Sequence, residues 1–259
     1  MKSIDELLRS FDFLPPAPQI LPQLLSALAE PDTDLSRVVD LIAFDPALTA
    51  KLLQTCNSAF FARSRPVDDV AEAVNRLGFQ AVYRTVAVVA GAHCLRPTEA
   101  KGLDPESLWR HSVTTAFAAQ FIAEDVQVEG GMLFTAGLLH DIGKIVLAAA
   151  AARGRWDASV VSPRPGANGQ DTLHAEVGAK LLEFWKFSAP LSASVRFHHN
   201  PAEGGQWTRL AACLALANQL SHHLEPPERD KNGLNGCQQP LEVLHLSETN
   251  LQRYQGRLE

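Results

Sequence analysis

A helical period that recurs along the whole chain, with no two-residue alternation competing against it, limits the fold more than any other feature. Residues 34–44 place Leu35, Val38, Val39 and Ile42 at i, i+3, i+4 and i+7, with Asp34 set as the N-cap. Asp45-Pro46 opens a second helix, a capping side chain followed by proline at the first helical position, and Leu48, Leu52 and Leu53 form its stripe up to Asn57-Ser58. Val70–Leu77 ends at Gly78, the residue type suited to a left-handed cap. The run 79–94 lacks polar residues almost completely from Val86 onward and is expected to be buried on most sides. Pro105 starts a long helix rich in small residues. Further helices are predicted at Met132–Leu139, Gly143–Ala152, Leu173–Phe187, Pro190–His199 and Trp207–Leu224. Turn formers mark loops at 97–103, 162–171 and 226–240, and Leu241, Val243, Leu244, Leu246 and Leu251 mark a weakly docked C-terminal helix. The predicted fold class is all-α.

The 259 residues suffice for one large domain or two lobes. With 23 Lys and Arg against 29 Asp and Glu the net charge is -6, and without a basic face no binding of duplex nucleic acid is expected. The longest purely apolar run, Ile145–Ala152, falls far short of the ~20 residues that cross a bilayer. Charge interrupts each apolar stretch of the N-terminus and no small-residue cleavage site follows, so the expectation is a cytoplasmic protein without a membrane partner. Cys56, Cys94, Cys213 and Cys237 lie far apart with no paired spacing and read as packing residues.

Nine histidines are present, and five of them form an ordered series with one aspartate: His111, His140-Asp141, His174 and His198-His199. Each lies on or at the end of a predicted helix, and helical bundles build metal sites from inward-facing side chains on several helices. Imidazoles with a carboxylate suit Fe, Mn, Zn, Ni or Co better than Mg or Ca. Adjacent helical residues point about 100° apart, so His140 and Asp141 share an ion only at a helix end, which Gly143 is expected to loosen. Asp141 would then bridge two ions through its two oxygens while His140 caps one, and Asn200-Pro201 gives His198-His199 a similar end. A buried histidine taken alone is more often a hydrogen-bonded core residue than a ligand, but burying five in one lobe without a shared partner costs several kcal/mol, roughly, in desolvation. His93, His222, His223 and His245 fall outside the series; His222 and His223 read as a solvated face beside Glu225.

The motif GLLHDIGKIVL resembles the signature of the HD superfamily of metal-dependent phosphohydrolases. LPPAPQILPQLL, DLSRVVDLIAFDPALTAKLLQTCNSAFF and VAEAVNRLGFQAVYRTVAV together resemble the HDOD family of bacterial signalling domains, the stretch Asp45–Phe61 most specifically. This resemblance implies one HDOD-type domain over 10–225, with an N-terminal helical lobe at 10–98 and an HD-like lobe at 99–225, followed by a loop and C-terminal helix at 226–259. It also implies a regulatory role through partner binding, although many family members have lost the metal ligands that this chain keeps at His111, His140, Asp141, His174, His198 and His199. Their spacing is similar to that of the HD-GYP phosphodiesterases that cleave cyclic di-GMP, but HHNPAEGGQW lacks the Gly-Tyr-Pro signature. Asn218 occupies the place where HD enzymes carry a final metal-binding Asp; its neutral carbonyl binds metal more weakly and would hold one ion where Asp supports two.

Three functions follow as expectations. The first is a signalling module with a protein partner and one or two transition ions, iron or manganese ahead of zinc or nickel. The second is a metal-dependent hydrolase of a nucleotide or other phosphoester, with Asp141 orienting water and Lys144 steadying a phosphate oxygen. The third is an iron-based redox or oxygen sensor.

Overall fold

The computed structural model describes residues 4, 20, 22–23, 35–43, 46–58, 66–94, 103–154, 172–224 and 236–258, and among them every regular element is helical. The predicted caps Asp34 and Asp45, the loop 162–171 and residues 226–235 lie outside this set. The chain divides into a unit of Pro18–His93 and a unit formed by Met1–Ala17 with Cys94–Glu259.

In the smaller unit, α1 (Leu35–Ala43), α2 (Pro46–Cys56) and α3 (Val70–Leu77) pack on one another, and α4 (Phe79–Cys94) follows. Their apolar stripes close over Val38, Ile42, Leu48, Leu52, Cys56 and Val74, all buried. Asp69 caps α3 by accepting the Glu72 N–H at 2.8 Å, and Gly78 ends it at φ +75°, where a Cβ would be strained. The Asn57 side chain does more than stop α2. It donates to the Val67 carbonyl and accepts the Val67 N–H, both at 2.7 Å, and so stands in for a strand partner beside residues 66–69. Helix α4 buries Val82, Tyr83, Val86 and Ala87 but leaves Val88, Val89 and Ala90 half-buried, a stripe rather than the all-round burial its composition suggests.

The larger unit contains α5 (Pro105–Val126), α6 (Gly130–Leu139), α7 (Ile142–Ala152), α8 (Leu173–Phe184), α9 (Ala189–Phe197), a 3-10 turn (Pro201–Trp207), α10 (Thr208–Leu224), α11 (Gln238–Leu244) and α12 (Glu248–Leu258). Helix α6 is buried at every residue from Met132 to Leu139 and packs against α5, α9 and α10. Gly130–Ala152 is long and apolar enough to cross a membrane, yet 89% of its 18-residue apolar window is buried inside the protein and it is broken at His140-Asp141. Two glycines set the helix spacing. A Cβ on Gly137 would stand 2.7 Å from the Ala116 Cα, and one on Gly143 1.9 Å from the His174 carbonyl oxygen, so α6 touches α5, and α7 touches α8, backbone to backbone. Gly143 therefore lies inside α7 and admits α8; it does not loosen a helix end as the sequence suggested.

Helix α8 stops at Phe184, three residues before the predicted Phe187. Lys186 takes φ +63°, its N–H donates to the Glu183 carbonyl, and the Phe187 N–H donates to the Leu182 carbonyl. This is the Schellman pairing that glycine usually completes. The C-terminal segment is two helices, parted at His245 (φ +56°), where the sequence predicted one. Its docking is firm: α12 buries Leu251 and Tyr254 against α5, Asp125 accepts from both the Tyr254 hydroxyl and Arg253, and Arg257 lies 3.7 Å over the Phe121 ring.

Candidate metal centre

Helix ends place most of the site. His140 is the C-cap of α6, and Asp141, at φ -96° and ψ 7°, is the N-cap residue of α7. The break between these helices lets two adjacent side chains share one centre, which a continuous helix would forbid. His198 caps α9 in the same way and His199 follows it; His174 sits in the first turn of α8. His111 and Asn218 project from the interiors of α5 and α10. Arg196 ties α9 to α8 through Glu176 at 2.8 Å and Glu183 at 3.1 Å, fixing the helices that carry His174 and His198 relative to each other.

All seven side chains singled out as ligands converge, in two groups that meet at Asp141. The donor atoms of His111, His140 and Asp141 lie within 4.8 Å of one another, as do those of His174, His198 and His199. Asp141 Oδ2 faces His140 Nε2 at 3.4 Å and His111 Nε2 at 3.8 Å, while Oδ1 faces His174 Nε2 at 3.1 Å. His174 Nε2 in turn lies 3.1 Å from His199 Nε2. Asn218 Oδ1 stands 2.9 Å from His111 Nε2, and His111 Nε2 stands 3.3 Å from His140 Nε2. Lys144 lies beside the group and donates to Asp141 Oδ2 at 2.6 Å.

Hydrogen bonds to the far ring nitrogens fix two tautomers. His140 Nδ1 donates to the Gly137 carbonyl at 2.7 Å and His198 Nδ1 to the Val195 carbonyl at 2.6 Å, so each Nε2 carries a lone pair aimed inward. Burial pushes His140 down to about 3, against which the Asp141 carboxylate raises it only in part. His198 is held well below its ordinary value by burial and then by His199, His140 and His174. Burial by itself would raise the Asp141 carboxyl, but His140, Lys144 and His174 outweigh it and keep the group well below the usual carboxylate range.

The neutral imidazoles of His140 and His198 and the ionised Asp141, set among three further imidazoles, form the donor set of a transition metal. Donors bound to a single ion at about 2.0–2.2 Å stand roughly 3–3.6 Å apart, the range spanned by most of these separations. The buried Nε2 of His198 has no hydrogen-bond partner among the described residues, and no other fully buried imidazole nitrogen there is left so. These residues fit a metal ion.

Sequence reasoning missed two neighbours. His222, expected on a solvated face, is half-buried and stacks on His111 with ring centroids 4.3 Å apart. Ser221 Oγ lies 3.1 Å from both His111 Nδ1 and the His111 carbonyl. Their spacing from Asn218, i+3 and i+4 on one helix, was the available signal. His223 and His245 are exposed, and the side chain of His93 lies outside the described residues.

Comparison with known proteins agrees with this architecture. The HDOD domain model matches residues 14–201. An uncharacterized protein of Treponema pallidum is 28% identical over 224 residues, which cover 83% of this chain and 43% of that protein; the chain thus spans less than half of that relative's length. A crystal structure described as a candidate phosphohydrolase from Shewanella amazonensis matches at TM-score 0.67 and 25% identity, covering 97% of this chain and 92% of that one. A candidate signal transduction protein from Marinobacter aquaeolei matches at TM-score 0.73 and 24% identity, covering 100% of this chain and 59% of that one, a likeness of fold. With the family model spanning most of its length and an all-helical architecture of the same kind, the chain belongs to the HDOD domain family.

Proposed function

We propose that this HDOD protein is a signalling module that holds a transition-metal centre in its HD-like unit and acts through a protein partner. The observation that carries the metal reading is the inward lone pair of His198 Nε2, buried without a hydrogen-bond partner among converging imidazoles and a carboxylate. Such an atom costs about 1–3 kcal/mol if left unsatisfied, a cost that a bound cation removes. When bound, the ion supplies Lewis acidity and, where redox-active, an oxidation state that a partner can sense. The protein supplies the tautomers: the Gly137 and Val195 carbonyls hold the Nδ1 protons of His140 and His198, and Asp141 presents one oxygen to each group of imidazoles.

A second reading, phosphoester hydrolysis, rests on Lys144. Its side chain is 26% exposed while its ammonium holds Asp141 Oδ2, so the same cation can meet a phosphate oxygen at the rim of the centre. The candidate phosphohydrolase of Shewanella amazonensis is in keeping with it.

One experiment separates the two. Purified full chain is analysed for metal and then incubated with a phosphoester panel in the presence of Mn²⁺. Retained metal with no turnover above that of His140→Ala supports the signalling module. Turnover that His140→Ala abolishes makes the protein a hydrolase, and a chain that neither retains metal nor turns over any phosphoester overturns both.

A further inference from the structure

The two groups of ligands around Asp141 are unequal. The His111 group closes upon itself. His111 Nε2 stands 2.9 Å from Asn218 Oδ1 and 3.3 Å from His140 Nε2, while Ser221 Oγ lies 3.1 Å from His111 Nδ1 and donates to the His111 carbonyl. Asp141 Oδ2 already accepts from the Lys144 ammonium at 2.6 Å. Each of these polar atoms thus has a partner within the protein, and the group already contains a full positive charge. A dication placed here would have to displace or repel that ammonium, with only a neutral amide to compensate from Asn218.

The His174 group leaves one buried donor atom unmatched. Asp141 Oδ1, the oxygen turned away from Lys144, faces His174 Nε2 at 3.1 Å. His199 Nε2 lies 3.1 Å from His174 Nε2, and His198, only 2% exposed, aims an unpartnered Nε2 at the same place. Three imidazoles and one carboxylate oxygen make a complete four-donor set for a borderline divalent ion such as Zn²⁺, Co²⁺ or Fe²⁺.

We infer that the centre takes one tightly held ion, on His174, His198, His199 and Asp141 Oδ1, and that the Lys144 ammonium takes the electrostatic place of a second ion on Asp141 Oδ2. This inference rests on the metal reading above and goes further by assigning stoichiometry, position and the residues that impose them. The sequence feature behind it is the pairing of Asn218, where a carboxylate would attract a second ion, with Lys144, which neutralises the bridging one.

The test is calorimetric titration of chelator-stripped full chain with Co²⁺, with the visible Co²⁺ spectrum recorded at each point and circular dichroism confirming that each variant is folded. One ion per chain is expected. His199→Gln, at a half-buried position, and His198→Gln should weaken it by more than about 100-fold, whereas His111→Gln should change affinity by less than about tenfold and leave the spectrum alone. Lys144→Gln combined with Asn218→Asp should admit a second ion. Two ions of similar affinity in the unaltered protein, or His111→Gln as damaging as His199→Gln, would overturn the unequal pair. Failure of the unaltered protein to bind Co²⁺ at all would instead overturn the metal centre itself.

Discussion

His140 and His198 are neutral because burial penalises their charged forms, and this ties stability to pH. Their folded values lie below the unfolded value near 6.5, so as pH falls the unfolded chain takes up protons first. The metal-free protein should therefore lose stability from about pH 6.5 down toward pH 3, by up to about 1.4 kcal/mol per pH unit for each group. Asp141, also held low, adds a loss only below its ordinary value near 3.8. Urea midpoints at pH 7.5 and 5.5 check this, and a midpoint that rises on acidification would contradict it. Ser221 makes a separate prediction. Ser221→Ala strips a hydroxyl from the buried Nδ1 and carbonyl of His111, so it should cost about 1–3 kcal/mol in urea unfolding while leaving Co²⁺ affinity nearly unchanged.

Among the elements, α7 and α8 are the pair whose contact matters most to the site. Gly143→Ala would drive a Cβ into the His174 carbonyl, and since the obstacle is backbone no rotamer change relieves it. The expected cost is at least about 1–3 kcal/mol, with a loss of metal affinity because α8 carries His174; unchanged affinity in a variant of reduced stability would separate the two effects and count against the site geometry. The helices themselves were readable from periodicity, and Pro105 marked a start that the structure keeps. Their ends were less so. The stop of α8 at Phe184 is made by Lys186 in a left-handed conformation, and the chain carries no glycine there to signal it. The firm docking of α12 depends on Asp125 meeting Arg253 and Tyr254, 128 and 129 positions away from it in sequence, and such a pairing leaves no trace in local pattern.

For the whole molecule, the proposed metal would be linked to the fold through the larger unit. Binding to the native state alone stabilises it by about 2.7 kcal/mol at a metal concentration a hundredfold above Kd, so chelation should lower the thermal midpoint, and Co²⁺ should restore it in the unaltered protein but not in His199→Gln. The convergence of these side chains was legible because histidines and an aspartate at helix ends within apolar sequence have few inexpensive alternatives to meeting one another. His222 was not, since on α10 it stands near Glu225 in the sequence and only the fold reveals the His111 ring against it. The division of labour between Oδ1 and Oδ2 of Asp141 was equally hidden, because it depends on which side of the carboxylate Lys144 reaches. The most direct measurement is an anomalous difference map, at the absorption edge of the bound metal, from crystals of the full chain loaded with Co²⁺. The account predicts one strong peak bonded to Asp141 Oδ1 and to the Nε2 atoms of His174, His198 and His199. No peak among these side chains, or a peak at a surface histidine alone, would contradict it.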